Sequence, residues 1–414
     1  MMEEMKLVPR RRVAGTVGNW TESKLGELSI FSKGKGYSKK DLRDSGHPLI
    51  LYGRLYTNYE TIINSVDTYT VKQENSVISK GGEVVVPSSG ETKEDIARAS
   101  VIAKANIILG GDLNIIKTSN KLDPVFLALS MSNGAPQKEL IKLAQGSSVV
   151  HIYNEDLMNV TLYYPHIKEQ QKIGEFFKVL DERIANQERK ISKVKALKSA
   201  YLTEMFPQEG ETVPKRRFKG FEGEWKTIKL GSIGTTFSGL SGKTKKDFGH
   251  GTAEFVTYMN VFSNTISDIK ATEKVIRDDK QTQLKYGDLL FTTSSETPNE
   301  VGMSSVWLDD RSNVYLNSFC FGLRPSVYLD YYFMGYLLRA KIFRKQMKTL
   351  AQGISRYNIS KNRVMEINIK LPSVKEQQKI GQFFKNLDNQ ITTKEKKLEK
   401  LKKMKEAYLE EMFV

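Results

Sequence analysis

The sequence predicts an α+β protein in which two pseudo-twofold-related mixed α/β bodies are joined by an antiparallel pair of long coiled-coil helices. Three observations predict it. The phrase EQQKIGEFFKVLD at 169–181 returns as EQQKIGQFFKNLD at 376–388, an offset of 207 (376 − 169). The stretches between the repeated anchors diverge. Each half ends in a long heptad pattern. Repeats decide architecture before any local reading does, and this repeat divides 414 residues into two similar halves.

The early anchors align at an offset of 205 (225 − 20): Val8-Pro-Arg-Arg-Arg12 answers Val213-Pro-Lys-Arg-Arg217, and Trp20 answers Trp225. Residues 31–75 share almost nothing with 236–280, as expected of one scaffold carrying two different surfaces. Within each body, short apolar runs bounded by Gly, Ser, Pro or Asn read as strands, among them Glu83-Val-Val-Val86, Ala105-Asn-Ile-Ile-Leu109, Asp288-Leu-Leu-Phe291 and Phe319-Cys-Phe-Gly-Leu323. Asp123 and Asp330 each precede a helix-compatible apolar run and are N-cap candidates. Trp20 and Trp225, common to both halves, are expected as core anchors.

The halves end differently. Ile173, Phe177, Leu180, Ile184, Ile191 and Val194 step by heptad spacing, with Gln187 and Lys198 interrupting the stripe. The second copy repeats it with Ile380, Phe384, Leu387, Ile391, Leu398 and Leu401, interrupted at Lys394 and Lys405. A polar seam residue fixes register, or a long lysine stem snorkels from the seam edge; both readings are open at this point. From Ile173 to Phe206 such a helix spans roughly 50 Å. Pro207 stops it, and the linker that follows is short, so the two helices are expected to pair with each other and to run antiparallel. Phe176, Phe177, Phe383 and Phe384 are placed to seal each helix to its body or to meet a partner.

Lys plus Arg number 64 against 48 Asp plus Glu, a formal charge of +16, which favours a polyanionic partner. The single cysteine, Cys320, excludes an internal disulfide and a cysteine-rich zinc site. The acidic start Met-Met-Glu-Glu-Met-Lys lacks a secretory pattern, and no apolar run reaches membrane-spanning length. A cytoplasmic location with no membrane partner is expected.

Catalytic motifs are not found. Ser238-Gly-Leu-Ser-Gly-Lys-Thr244 fails as a phosphate loop because Phe237 stands where glycine is required, leaving Lys243 as a DNA-phosphate candidate. Gly34-Lys-Gly36 lacks the third glycine of a dinucleotide fingerprint. His47, His151, His166 and His250 are scattered, and there is no Asn-Pro-Pro-Tyr or Asp-Pro-Pro-Tyr.

The doubled E-Q-Q-K-I-G phrase, with Gly220-Phe-Glu-Gly-Glu-Trp-Lys-Thr-Ile-Lys-Leu-Gly231 opening the second half and Leu371-Pro-Ser-Val-Lys375 leading into its helix, resembles the specificity subunit of Type I restriction-modification systems. The likeness covers the whole chain. It departs at Val13-Ala-Gly-Thr-Val-Gly-Asn-Trp20, where the expected Phe-x-Gly-Phe-x-Gly is degraded. The resemblance implies target recognition domain 1 at 1–165 with an N-terminal tail, a spacer helix at 166–206, a linker at 207–222, target recognition domain 2 at 223–372 and a second spacer helix at 373–414.

It further implies a non-catalytic subunit that binds double-stranded DNA, reads a bipartite asymmetric target, and docks two methyltransferase subunits together with restriction subunits. S-adenosylmethionine, ATP and Mg would belong to those partners, with no cofactor in this chain. Adenine would be methylated at its exocyclic amine after base extrusion. Such a spacer suits bodies about one helical turn apart, roughly 34–36 Å.

Basic residues would neutralise phosphates and polar loop residues would read base edges. The candidates in the first half are Lys33, Lys35, Tyr37, Lys39, Lys40, Arg43, Arg54 and Tyr56, with Ser88 and Ser89 in a loop after a strand. In the second half they are Ser241, Lys243, Lys245, Lys246, Thr293, Ser294, Ser295, Arg356 and Tyr357. Two rival readings stand beside this one: a self-contained DNA methyltransferase or nuclease, and a basic coiled-coil adaptor.

Overall fold

The β-branched and aromatic runs form strands, and the two heptad patterns form the longest helices of the chain. The computed structural model describes residues 8–146 and 149–413. The acidic start read above as lacking a signal lies outside the described residues. Two long helices, α1 (Ile167–Glu204) and α2 (Val374–Met412), follow the last strand of each half.

The chain forms two compact units, and their boundary lies inside the helices. The first unit runs to Glu188 and also takes in the chain from Lys396; the second is Arg189–Glu395. Each unit therefore contains a body, the first half of one long helix and the second half of the other. The second half of each long helix thus belongs to the other half's unit. This exchange arises because Met412 and Phe413 join the core built around Trp20 and Phe126, while Met205 and Phe206 join the core built around Trp225 and Phe333.

In the first unit a five-stranded sheet has the order Ser29–Lys33, Leu113–Thr118, Glu83–Pro87, Ser100–Ile102, Ile62–Ile63. The second unit repeats four of these as Gly234–Ser238, Cys320–Pro325, Leu289–Thr292, Ser304–Val306. A smaller sheet extends each body: four strands including His47–Ile50 and Ala105–Leu109 in the first, and three including Phe248–Val256 and Val314–Leu316 in the second. Asp123 and Asp330 cap Pro124–Met131 and Tyr331–Leu337, each carboxylate accepting from a helical N–H, as the sequence predicts.

Each body closes on its helix by one joint. The first strand, Thr21–Lys24, pairs antiparallel with the last, Thr161–Tyr164, which leads directly into α1; Lys226–Lys229 and Asn368–Leu371 do the same before α2. Here the repeated phrase has its physical meaning. Buried Glu169 accepts two bonds from the Arg12 guanidinium, 2.9 Å at Nε and 2.6 Å at Nη2, and Glu376 accepts the same pair from Arg217 at 2.7 Å each. Gln170 donates to the Pro165 and Lys121 carbonyls and accepts from the Asp123 N–H at 2.8 Å. Gln377 likewise donates to the Pro372 carbonyl and accepts from the Asp330 N–H. Gly381 lets the helix approach closely, since a Cβ there would lie 2.2 Å from Asp330 Oδ1. Ile173 and Ile380 then point into the two main cores. Where the first half departs from the repeated opening, Val13 takes the place of Phe218 and still packs against its core.

The seam forms as the spacing predicts. Ile173, Phe177, Leu180, Ile191, Ile380, Phe384, Leu387 and Ile391 are buried, while Ile184, Val194, Leu398 and Leu401 are half-buried. The seam lysines Lys198 and Lys405 are ion-paired, and a second lysine–glutamate pair flanks each. In the first unit Lys405 meets Asp181 at 2.6 Å and Lys402 meets Glu188 at 2.6 Å. In the second, Lys198 meets Asp388 at 2.5 Å and Lys195 meets Glu395 at 2.7 Å. As numbering rises along one helix it falls along the other, so the pairing is antiparallel within each unit. The Phe residues seal the joints as expected: Phe177 against Phe413, Phe384 against Phe206, and Phe176 edge-on to Tyr408.

Two outcomes are expected. Arg217→Ala leaves the Glu376 carboxylate buried without its partner and should destabilise the second unit by about 3–5 kcal/mol, whereas Arg217→Met with Glu376→Met should recover most of that loss in urea unfolding. Lys198→Asp places like charges together and should cost on the order of 1 kcal/mol, regained when Asp388→Lys is added. A double variant no more stable than the single one would show that this pair contributes nothing to register.

Candidate nucleic-acid interface

Exposed candidates including Lys33, Lys35, Ser241 and Arg356 belong to an edge that each unit builds from four chain segments. In the first unit the segment after strand Ser29–Lys33 meets residues 109–113, with Gly34 N donating to the Leu113 carbonyl (2.9 Å) and Lys35 N to that of Leu109 (3.2 Å). Residues 109–113 adjoin Ser88, whose N–H donates to the Asp112 carbonyl (2.8 Å), and the Ser88 carbonyl accepts from Ile152 N (3.1 Å). The second unit repeats the order. Leu240 N donates to the Leu316 carbonyl (2.8 Å), Thr293 N to that of Phe319 (2.9 Å), and Ile359 N to that of Thr293 (2.9 Å).

The divergent segments nevertheless share one short feature. Ser38-Lys39-Lys40-Asp41 and Thr244-Lys245-Lys246-Asp247, at an offset of 206 (245 − 39), form the same 3-10 turn. Asp41 accepts from Ser38 N (2.6 Å) and Ser38 Oγ (3.1 Å); Asp247 accepts from Thr244 N (2.7 Å) and Thr244 Oγ1 (2.8 Å). These bonds hold both carboxyls below their ordinary range, so the closures are complete at neutral pH and are lost only as pH falls through the lowered values. Each turn presents two exposed lysines. A four-residue match inside a variable stretch is too short to stand out without the shared capping geometry.

The remaining candidates divide by environment. Lys33, Lys35 and Arg43 are exposed in the first unit, with Lys33 Nζ 5.0 Å from the Tyr153 ring centre. Ser241 and Arg356 are exposed in the second, with the Arg356 guanidinium 5.7 Å from the Phe319 ring centre. Lys243 differs: it is ion-paired to Asp278 at 2.8 Å, and that bond holds the Asp278 carboxyl down at about 2.

The structure corrects several expectations. Tyr37 is buried, its hydroxyl 2.6 Å from Ser76 Oγ and accepting from Gln73 N, so it braces the turn. Arg54 is ion-paired with Glu60, and burial raises the half-buried Tyr56 phenol. Ser88, Ser89, Ser294 and Ser295 are buried and do not stand in an open loop. Ser89–Gly90 pairs with Val150–His151, and Ser294–Ser295 with Tyr357–Asn358. Thr293 donates its hydroxyl to the Phe319 carbonyl, and Tyr357 is half-buried. These residues shape the edge, and the neighbours they support face outward. His151 and Tyr153, stacked 6.3 Å apart, and Phe319 and Ile354 were not anticipated. His151 is isolated in sequence from the other histidines, and Tyr153, Phe319 and Ile354 carry no charge that marks them in the sequence.

Among the described residues no cluster of His, Cys, Asp or Glu suits a metal ion, and no helix is long and apolar enough to cross a membrane. Cys320 is buried, which pushes its thiol pKa up.

Comparison with known proteins gives concordant matches. The family model for the Type I restriction modification DNA specificity domain matches residues 18–196 and 222–403. The Type I restriction enzyme MjaVIII specificity subunit of Methanocaldococcus jannaschii is 22% identical over 366 residues, covering 85% of this chain and 79% of the relative. The crystal structure of a Type-I restriction-modification system S subunit from M. genitalium superposes with a TM-score of 0.58 at 16% identity, over 98% of this chain and 99% of that one. A chain from a structure describing complex assembly and conformational transition of the type I R-M system gives 0.56 at 16% identity, over 97% and 98%.

If the paired lysines face a polyanion, Lys245→Ala and Lys246→Ala should each lower the slope of log affinity against log salt for duplex DNA by about 0.9, measured by fluorescence anisotropy. Lys243→Ala, removing a lysine already neutralised by Asp278, should leave the slope unchanged.

Proposed function

Because this chain belongs to the family of type I restriction-modification DNA specificity proteins, we propose that its two units read the two halves of a bipartite, asymmetric DNA target by different means on a common frame. The chain is the DNA-recognition subunit of its system and not a catalytic one. The observation that carries the proposal is the edge repeated in both units: it keeps its backbone order and its Ser/Thr-Lys-Lys-Asp turn while its other exposed side chains change.

Division of labour follows from DNA chemistry. Phosphates are the same everywhere, so Lys39, Lys40, Lys245 and Lys246, common to both units, would fix each body on the backbone. Base edges differ, so the residues without counterparts would read them: Lys33 and Tyr153 in the first unit, Ser241 and Arg356 in the second. The antiparallel helices would hold the two readings at a fixed interval and offer docking faces to two methyltransferase subunits, and restriction subunits would join that assembly. S-adenosylmethionine, ATP and Mg would be bound by these partners. The self-contained enzyme is disfavoured by the family, and the plain adaptor by the divergence of one scaffold into two edges.

Exchange of residues 19–165 for another recognition domain should change one half of the methylated motif and leave the other intact, as read by genome-wide mapping of methylated adenine. Removing one heptad from both helices should alter the gap and spare both half-sites. A change in both half-sites on domain exchange would overturn the modular reading.

A further inference from the structure

The edge of the second unit carries apolar groups that solubility does not explain. Phe319 is 55% exposed and Ile354 is 94% exposed. Each is held by its backbone. The Phe319 carbonyl accepts from Thr293 N (2.9 Å) and Thr293 Oγ1 (2.8 Å), and its N–H donates to Asn317 Oδ1 (2.9 Å). Ile354 stands at the tip of a hairpin closed by reciprocal Gln352 and Asn358 backbone bonds of 2.9 and 2.8 Å. Gly353, at φ +135°, makes the turn possible, since a Cβ there would lie 2.0 Å from the Arg356 carbonyl. The Arg356 guanidinium, from the same tip, lies over the Phe319 ring.

The first unit builds the same hairpin, with Gln145 and His151 exchanging bonds of 3.1 and 2.8 Å and Gly146 at φ +121°. Its tip sequence, Ser147-Ser-Val149, replaces Ile354-Ser-Arg356. Ser147 and Ser148 lie outside the described residues. At the described end of this tip the first unit presents the exposed aliphatic Val149 where the second presents the exposed cation Arg356. This is the pattern of a part that must recognise a different base in each half-site.

Resting on the reading of the second unit as a base-reading body, we propose that Phe319 and Ile354 recognise thymine by packing against its 5-methyl group in the major groove. The thymine methyl is the apolar feature of the major-groove edge, and phenyl and aliphatic side chains are suited to contact it. The adjoining Arg356 supplies the charge complementarity that directs this apolar surface to DNA, and the Lys245–Lys246 turn adds exposed positive charge to the same unit.

The test replaces each thymine of the target, one at a time, by uracil, which lacks only that methyl. The full chain is assembled in its methyltransferase complex, the target is taken from methylated-adenine mapping, and affinity is measured by anisotropy. Uracil at one or more positions of the half-site assigned to residues 223–372 by domain exchange should weaken binding about fourfold, the worth of one buried methyl-sized group. Phe319→Ala with Ile354→Ala should abolish that discrimination and leave the other half-site unaffected, while Phe319→Leu keeps it. Both altered residues are exposed, and an unchanged unfolding midpoint confirms that the fold is intact. Equal binding of uracil and thymine throughout that half-site, or discrimination surviving in the double variant, would overturn the proposal while leaving modular recognition standing. If exchange of 223–372 changes no half-site, the modular reading fails and the thymine contact falls with it.

Discussion

The bidentate pairing of an arginine near the start of each half with a buried glutamate at the start of its long helix is the constraint on which each unit depends. Arg12 with Glu169, and Arg217 with Glu376, tie chain positions far apart in sequence at the point where body becomes helix. Burial makes the tie demanding, because either charge left alone would be strongly unfavourable. The same arginines also donate to carbonyls of the following loop, Gly18 in one unit and Gly223 in the other, so the opening segment is folded around the charge pair. The adjoining glutamine then binds the N-terminus of the capped body helix. A helix anchored in this way has a fixed rotation about its axis, and that rotation determines which of its faces becomes the seam.

The seam inherits its register from these anchors and adds its own selection. Lys198 and Lys405, which interrupt the apolar stripe at matching places, are not merely tolerated, because each meets an aspartate of the opposing helix. The two units are alike in this and differ beside it. Tyr336 of the second body donates to Asp388 at 2.7 Å, where the corresponding position of the first body is Leu129. The common ion pair sets helix against helix, while the tyrosine adds a link from body to seam in one unit only.

A similar separation runs through the candidate DNA edge. Elements common to both units present lysines from a rigid, capped turn, the chemistry suited to a uniform phosphate backbone. Elements unique to one unit present stacked aromatic, aliphatic and guanidinium groups, the chemistry suited to base edges. The buried serines belong to neither class: they pair short strands, and their burial is what allows neighbouring side chains to stand out.

Periodicity and repetition determined by themselves that the chain is a duplicated α+β protein with two long helices, because a 207-residue echo and a heptad stripe are one-dimensional facts. They also identified Trp20, Trp225 and the paired phenylalanines as packing residues, since recognition surfaces should differ between halves and these do not. Tertiary structure alone decided which basic and hydroxyl residues are free to act. Lys243 and Lys246 are alike as letters, yet Asp278 lies beside only the first; Ser88 and Ser241 are alike, yet only the first is buried. Exposure and partnership depend on segments distant in sequence, and so does the exchange by which Phe413 completes the first core and Phe206 the second. No local pattern contains that information, because it is set by which surfaces the folded backbone brings within contact distance.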